Sequence, residues 1–393
     1  MELRVGYQNT EIGVLPVDWE VKSIEETSKL KARIGWQGLT TAEYLEIGNF
    51  HLVTGTDFKN GHIKWSTCHY VEKIRYTQDK NIQLRNDDIL ITKDGTIGKV
   101  AFVNNLTIPA TLNSGVFLVR AKRNNYIPFF VFYIFNSVLF SKFLQELVAG
   151  STINHLYQKD FVNFQIPLPP LSEQTAIATV LSDTDKLLQA LEKKIAKKRL
   201  IKQGAMQELL KHKEGWVVKT LGDVVVFLDG QRRPIKANER QEGIYPYYGA
   251  SGIIDYVSDY IFDEELILLG EDGENILSRN LPLAFKVKGK IWVNNHAHVL
   301  KPKAGYHISF LTEYLESLDY SLLNSGTAQP KLNKHACLNI KLFVPSLSEQ
   351  TKIATILSEM DTEIENLEKQ LAKYKKIKQG LMQNLLTGKI RLV

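Results

Sequence analysis

Two stretches of the chain carry apolar residues in alternating steps of four and three. In the first, Ile177, Leu181, Leu188, Leu191 and Ile195 keep that rhythm, with Thr184 and Lys198 filling its remaining places. In the second it runs through Ile353, Leu357, Met360, Ile364, Leu367, Leu371 and Tyr374. Such a stripe is the seam of a coiled coil, too narrow and too long to be buried without a partner. The stretches are also copies of each other: 24 of the 40 positions in 171–210 and 347–386 are identical at an offset of 176. Neither contains Pro, and about forty residues at 1.5 Å each make a helix of roughly 60 Å.

Helix starts are written in both copies. Pro167, Pro169 and Pro170 stop the preceding strand, Ser172 can cap the helix, and Glu173 sits in its first turn; Pro345 and Ser348 hold the same places in the second copy. The nearest partner for each stripe is the other copy, folded back antiparallel. The alternative is two helices packed separately, each on its own globule. Beyond the seam, Ile201, Ala205 and Leu209 match Ile377, Leu381 and Leu385, which predicts a supercoil that relaxes toward its far ends.

The rest of the chain forms two less repetitive segments with strand-like runs cut by turns. The predicted order is a globule over 1–169, a helix over 170–213, a second globule over 214–345 and a last helix over 346–393. Kinship between the globules is faint but placed at matching ends. Trp19, Val21 and Lys22 recur as Trp216, Val218 and Lys219, and GSTINHLYQKDF from Gly150 resembles SGTAQPKLNKHA from Ser325. In both, an apolar strand runs into a DG corner, KDG within DDILITKDGTIGKVAFV from Asp87 and EDG within EELILLGEDGENILS from Glu264. Each globule reads as mixed α and β, a sheet flanked by a few helices, so the fold class is α+β.

Composition narrows the function classes. The net charge is +6, yet the second globule carries 14 basic against 16 acidic residues, so any nucleic-acid surface must come from arrangement. Cys68 and Cys337 stand alone, without metal-ligand spacing, and imply a reducing, cytoplasmic setting. The most apolar window, Tyr126 to Phe140, is shorter than a membrane span and reads as a buried core helix beginning near Pro128. No membrane association is expected.

Catalytic motifs are missing. GTIGK at Gly95 to Lys99 is too short for a phosphate loop, and neither a GxGxxG after a strand nor an NPPY or DPPY tetrapeptide occurs. Glu271, Asp272 and Glu274 could hold a metal, although a solvated acidic turn is the commoner meaning of such a cluster. His296 and His298 alternate along a strand-like run and are expected on one face. The loops instead carry groups suited to nucleic acid: Lys31, Arg33, Trp36 and Gln37; Lys93 of the KDG corner; Ser151, Thr152, Asn154 and His155; Gln231, Arg232 and Arg233; His296; and Gln329, Lys331 and Asn333. Arg, Asn and Gln can bridge base edges, while Lys, Ser and Thr suit phosphates.

The LSEQT helices, their IPLPP and VPS lead-ins, the DILITKDGTIGKV run, YPYYGASGIIDYV from Tyr245 and KQGLMQNLLTGKIRL from Lys378 resemble the specificity subunit of type I restriction-modification enzymes over essentially the whole chain. That resemblance implies two target recognition domains, each reading one half of a bipartite, asymmetric site on double-stranded DNA, related by an internal pseudo-twofold. It implies helices that space the domains and dock two modification (methyltransferase) subunits, with restriction subunits joining for translocation and cleavage. The subunit itself would be non-catalytic, with S-adenosylmethionine, ATP and Mg held by its partners. Two other readings explain part of the pattern: a metal-dependent nucleic-acid-processing enzyme, or a coiled-coil scaffold.

Overall fold

A computed structural model of the chain describes residues 5–122, 125–149, 155–326 and 329–392. The chain divides into two compact units, Met1–Ala190 with Leu371–Val393, and Leu191–Gln370. The long helices, Leu171–Leu209 and Leu347–Leu385, are therefore each shared between the units.

The first unit is built on a six-stranded sheet. Its first four strands run in the order Ser28–Ala32, Val116–Ala121, Ile89–Thr92, Val100–Phe102, all antiparallel neighbours. Val119 and Phe117 lie opposite Leu30 and Ala32. The second unit repeats this core in a four-stranded sheet ordered Val225–Phe227, Ala297–Pro302, Leu266–Gly270, Ala284–Val287, again antiparallel throughout. The central strands, ILIT and LILLG, are buried on both faces, which their unbroken apolar runs require. Beyond this core the units differ: the first adds Phe58–Lys59 and His62–Ile63 to the same sheet, and the second carries a separate sheet around the Glu242–Gly249 and Gly252–Val257 hairpin.

The apolar window expected as one core helix is two, Pro128–Phe135 and Val138–Ala149, bent by 53°. Asn136 and Ser137 close the first helix, and Phe130 through Phe135 are buried in the unit's core. No single helix among the described residues is long and apolar enough to cross a membrane.

The two long helices pair antiparallel within each unit. In the first, Ile177, Ala178 and Leu181 share a core with Leu385 and Leu386, and Asp185 meets Lys378. In the second, Ile353, Ala354 and Leu357 pack with Leu210, and Lys198 and Lys202 meet Glu363 and Asp361. Leu188, Ile195, Ile364 and Leu367 are buried, while Leu191, Met360 and Leu371 are partly so. The far ends differ from expectation. Ile201 and Ile377 are 45% and 40% exposed, and the inward positions one residue on belong to Lys202 and Lys378, so the four-three rhythm runs on through charged residues.

Each LSEQ motif fastens a globule to its helix. Glu173 accepts from Trp19 Nε1 (3.1 Å), and Glu349 from Trp216 Nε1 (3.3 Å). Gln174 Oε1 accepts from the Ile127 amide at the start of Pro128–Phe135 while its Nε2 donates to Pro169 O, both 2.8 Å. Gln350 makes the same pair of bonds, from the His307 amide (2.8 Å) and to Pro345 O (2.9 Å). In the first unit Arg391 also reaches Glu173 and Asp18, and Glu173 in turn accepts from the Leu392 amide.

Candidate nucleic-acid interface

Both DG corners are held from two sides by the same backbone bonds. In the first unit the Lys93 amide donates to Gly115 O (2.9 Å), and Lys93 O accepts from the Leu156 amide (2.8 Å). In the second the Glu271 amide donates to His296 O (2.8 Å), and Glu271 O accepts from the Leu332 amide (2.7 Å). Asp94 bridges to His155 and Asp272 to Lys331 in matching places. Each corner is a ledge fixed by the loop before one sheet strand and by the lead into a short helix, Gln158–Phe161 or Lys334–Leu338. Gly95 and Gly273 complete the turns at φ of +66° and +102°, where a side chain would be strained.

Side chains on the two ledges differ. Lys93 lies over the Phe117 ring at 5.5 Å, and Asp94 pairs with His155. At the place of Lys93 the second unit has Glu271, whose Oε2 accepts from Arg232 Nη1 (2.6 Å) and whose Oε1 lies 3.4 Å from Lys331 Nζ. Asp272 accepts from His296 Nδ1 at 2.8 Å. Behind them Arg232 donates to Ala297 O (2.8 Å), and buried His298 pairs with Asp229 (2.8 Å) while its Nε2 donates to Leu332 O (2.9 Å). Burial opposes charge on His298, but its bond to Asp229 and the neighbouring Cys337 outweigh it and raise the imidazole to about 10. Burial likewise opposes charge on Asp229, and the His298 bond and the Val299 amide hold its carboxyl below the usual range.

The structure thus brings Arg232, His296 and Lys331 together on one ledge, with Lys93 and His155 on the other. Exposed Gln231 and Arg233 flank Arg232, and exposed Gln329 stands two residues before Lys331. Asn333 is occupied as a helix cap, its Oδ1 accepting from the Ala336 amide at 2.8 Å. Lys31 is exposed, whereas Arg33 is only 1% exposed and donates to Leu112 O (2.8 Å) and Thr111 Oγ1 (3.2 Å). Gln37 is buried, and its Oε1 has no partner among the described residues. The side chain of Trp36, and Ser151, Thr152 and Asn154 entirely, lie outside the described residues. His296 and His298 do not share a face: His296 sits in the turn before Ala297–Pro302, exposed, while His298 is inside the strand and buried.

Among the described residues no group of three or more His, Cys, Asp or Glu side chains could hold a metal ion. Glu271 and Asp272 are engaged by Arg232, Lys331 and His296 instead. Sequence reasoning did not single out Asp94, Asp229 or Asp272 as parts of these ledges, although the DG corner after an apolar strand marked two of them.

The two units thus repeat one core strand order, and each has a fixed ledge of polar side chains and a Glu-Gln pair that fastens it to the long helices. The chain belongs to the family described as the type I restriction modification DNA specificity domain, which matches it twice, over residues 16–199 and 213–376. Similar proteins include the type I restriction enzyme MjaVIII specificity subunit of Methanocaldococcus jannaschii, 28% identical over 80% of this chain and 81% of that one. The MjaIX specificity subunit of the same organism is 25% identical over 98% and 96%. In fold, the chain resembles the crystal structure of a type I restriction-modification S subunit from M. genitalium, with a TM-score of 0.60 over 98% of each chain at 19% identity. It is a type I restriction-modification specificity subunit with two target recognition domains.

Proposed function

We propose that each recognition domain reads one half of a bipartite, asymmetric site on double-stranded DNA, and that the paired helices set the unspecified gap and dock two methyltransferase subunits. The observation that carries this reading is the repetition of one ledge on one scaffold with different side chains. Backbone bonds at Lys93 and Glu271 are the same, while the groups presented change from Lys93 and His155 to Arg232, His296 and Lys331. A common frame with exchanged donors and acceptors is what two readers of different half-sites need, because base edges are told apart largely by their hydrogen-bonding pattern.

The chain acts in the cytoplasm as a non-catalytic part of an adenine methyltransferase and endonuclease complex. S-adenosylmethionine, ATP and Mg belong to the methyltransferase and restriction subunits, and the chain contributes position and sequence choice. Methylome sequencing of a host with and without the chain, its partners present in both, tests this. A bipartite methylated motif that appears only with the chain is expected. Modification indifferent to the chain, or metal-dependent cleavage by the purified chain alone, would contradict it.

A further inference from the structure

Both ledges carry an aspartate at the second position of the corner, and in both it holds an imidazole. Asp94 takes His155, from the segment that precedes Leu156; Asp272 takes His296, from the turn on the opposite flank of the corner. The carboxylate is therefore common to the two units and the imidazole is not: position 155 corresponds to Lys331, and position 296 to Gly115, through the shared backbone bonds. Both histidines are partly exposed, at 33% and 48% of their side chains. Held through Nδ1, each keeps Nε2 without a partner among the described residues.

Exposed pairs of this kind add little to stability, so folding gives little reason for one to recur on each ledge. They do fix a ring's orientation and tautomer. Phosphate is a poor match for either imidazole, because the carboxylate behind it opposes an anion. A base edge, neutral and read by direction, suits it.

We propose, resting on the DNA-reading function above, that Asp94 with His155 and Asp272 with His296 are specificity-determining pairs, one for each half-site, whose imidazole Nε2 meets the edge of a base. The carboxylates are positioning residues and the imidazoles make the contact.

The test is methylome mapping of hosts carrying the full complex with H155Q, D94N, H296Q or D272N. H155Q and D94N should relax the motif at the same position in one half, and H296Q and D272N at one position in the other half. Discrimination there should fall roughly ten-fold or more, with the thermal midpoint of each variant unchanged. An unchanged motif in folded variants that still methylate overturns the inference. So does weakening spread evenly over all sequences with the salt slope of binding reduced by about one, the signature of a phosphate contact. If a variant methylates nothing, binding of its purified complex to a randomised duplex library decides by the same two criteria. A wild-type map without any bipartite motif would instead overturn the proposed function itself, and this inference with it.

Discussion

Lys202 stands to Asp361 in the second unit as Lys378 stands to Asp185 in the first, with Nζ–Oδ1 distances of 2.7 and 2.5 Å. Lysines and aspartates alike are related by the 176-residue offset of the repeat. Each pair crosses the helix seam, and each gains a third member from its globule. Glu313 lies 3.1 Å from Lys202, and Tyr133 donates its hydroxyl to Asp185 at 2.8 Å. Burial works against the Lys202 charge, but the two carboxylates outweigh it and raise its pKa. A charged pair inside an apolar seam specifies register more than it adds stability.

Removing one partner should therefore cost more than the pair contributes. Lys202→Met leaves Glu313 and Asp361 facing each other and is expected to destabilise the second unit by about 1–3 kcal/mol, between the losses of exposed and of buried pairs because Asp361 is partly solvated. Lys378→Met should do the same to the first unit. Exchanging the charges, K202D with D361K, should recover part of the loss. Chemical denaturation followed by a probe in each unit measures this, and unchanged midpoints would show that the pairs are incidental.

The glutamines of the LSEQ motifs are 2% exposed, and each serves as both acceptor and donor between helix and globule. Gln174→Ala or Gln350→Ala strands an amide and a carbonyl and should cost about 2–3 kcal/mol. Gln→Glu keeps the acceptor but loses the donor and places a carboxylate near a carbonyl oxygen, so an intermediate or larger loss is expected. Hydrogen exchange at Ile127 or His307 should rise in the matching unit only.

Stability of the second unit should fall on the alkaline side. The folded-state pKa of His298 is raised from its ordinary 6.5 to about 10, so its contribution is complete below 6.5 and disappears as pH climbs toward 10. Asp229 is shifted down from 3.8, so its contribution is present above that value and lost in acid. Thermal unfolding at pH 6, 8 and 10 should show a decline that the H298F/D229N variant lacks; Phe is the residue at the corresponding position, Phe117, of the first unit. An equal slope in both proteins would contradict the assignment.

Much of this architecture is legible in the residue order because its signals are local. A four-three stripe and a repeated LSEQ mark the helices, and an apolar run ending in DG marks each corner. What could not be read depends on partners far away in the chain. Ile201 looked inward by hydrophobicity, yet Lys202 holds the seam because Asp361 and Glu313 neutralise it. Arg33 looked available to DNA, but carbonyl and hydroxyl acceptors on Leu112 and Thr111 draw it inside. The ledges themselves form from backbone bonds between segments more than twenty residues apart, such as Glu271 with His296 and Lys93 with Gly115, for which no local pattern exists.

Whether each domain reads its own half-site is decided by exchanging residues 214–345 for the corresponding segment of a related specificity subunit and mapping the methylated motif. A hybrid motif is expected, in which one half is replaced by that of the donor and the other half stays as it was. A motif in which both halves change together would contradict it, because a single composite surface, rather than two ledges, would then be reading the DNA.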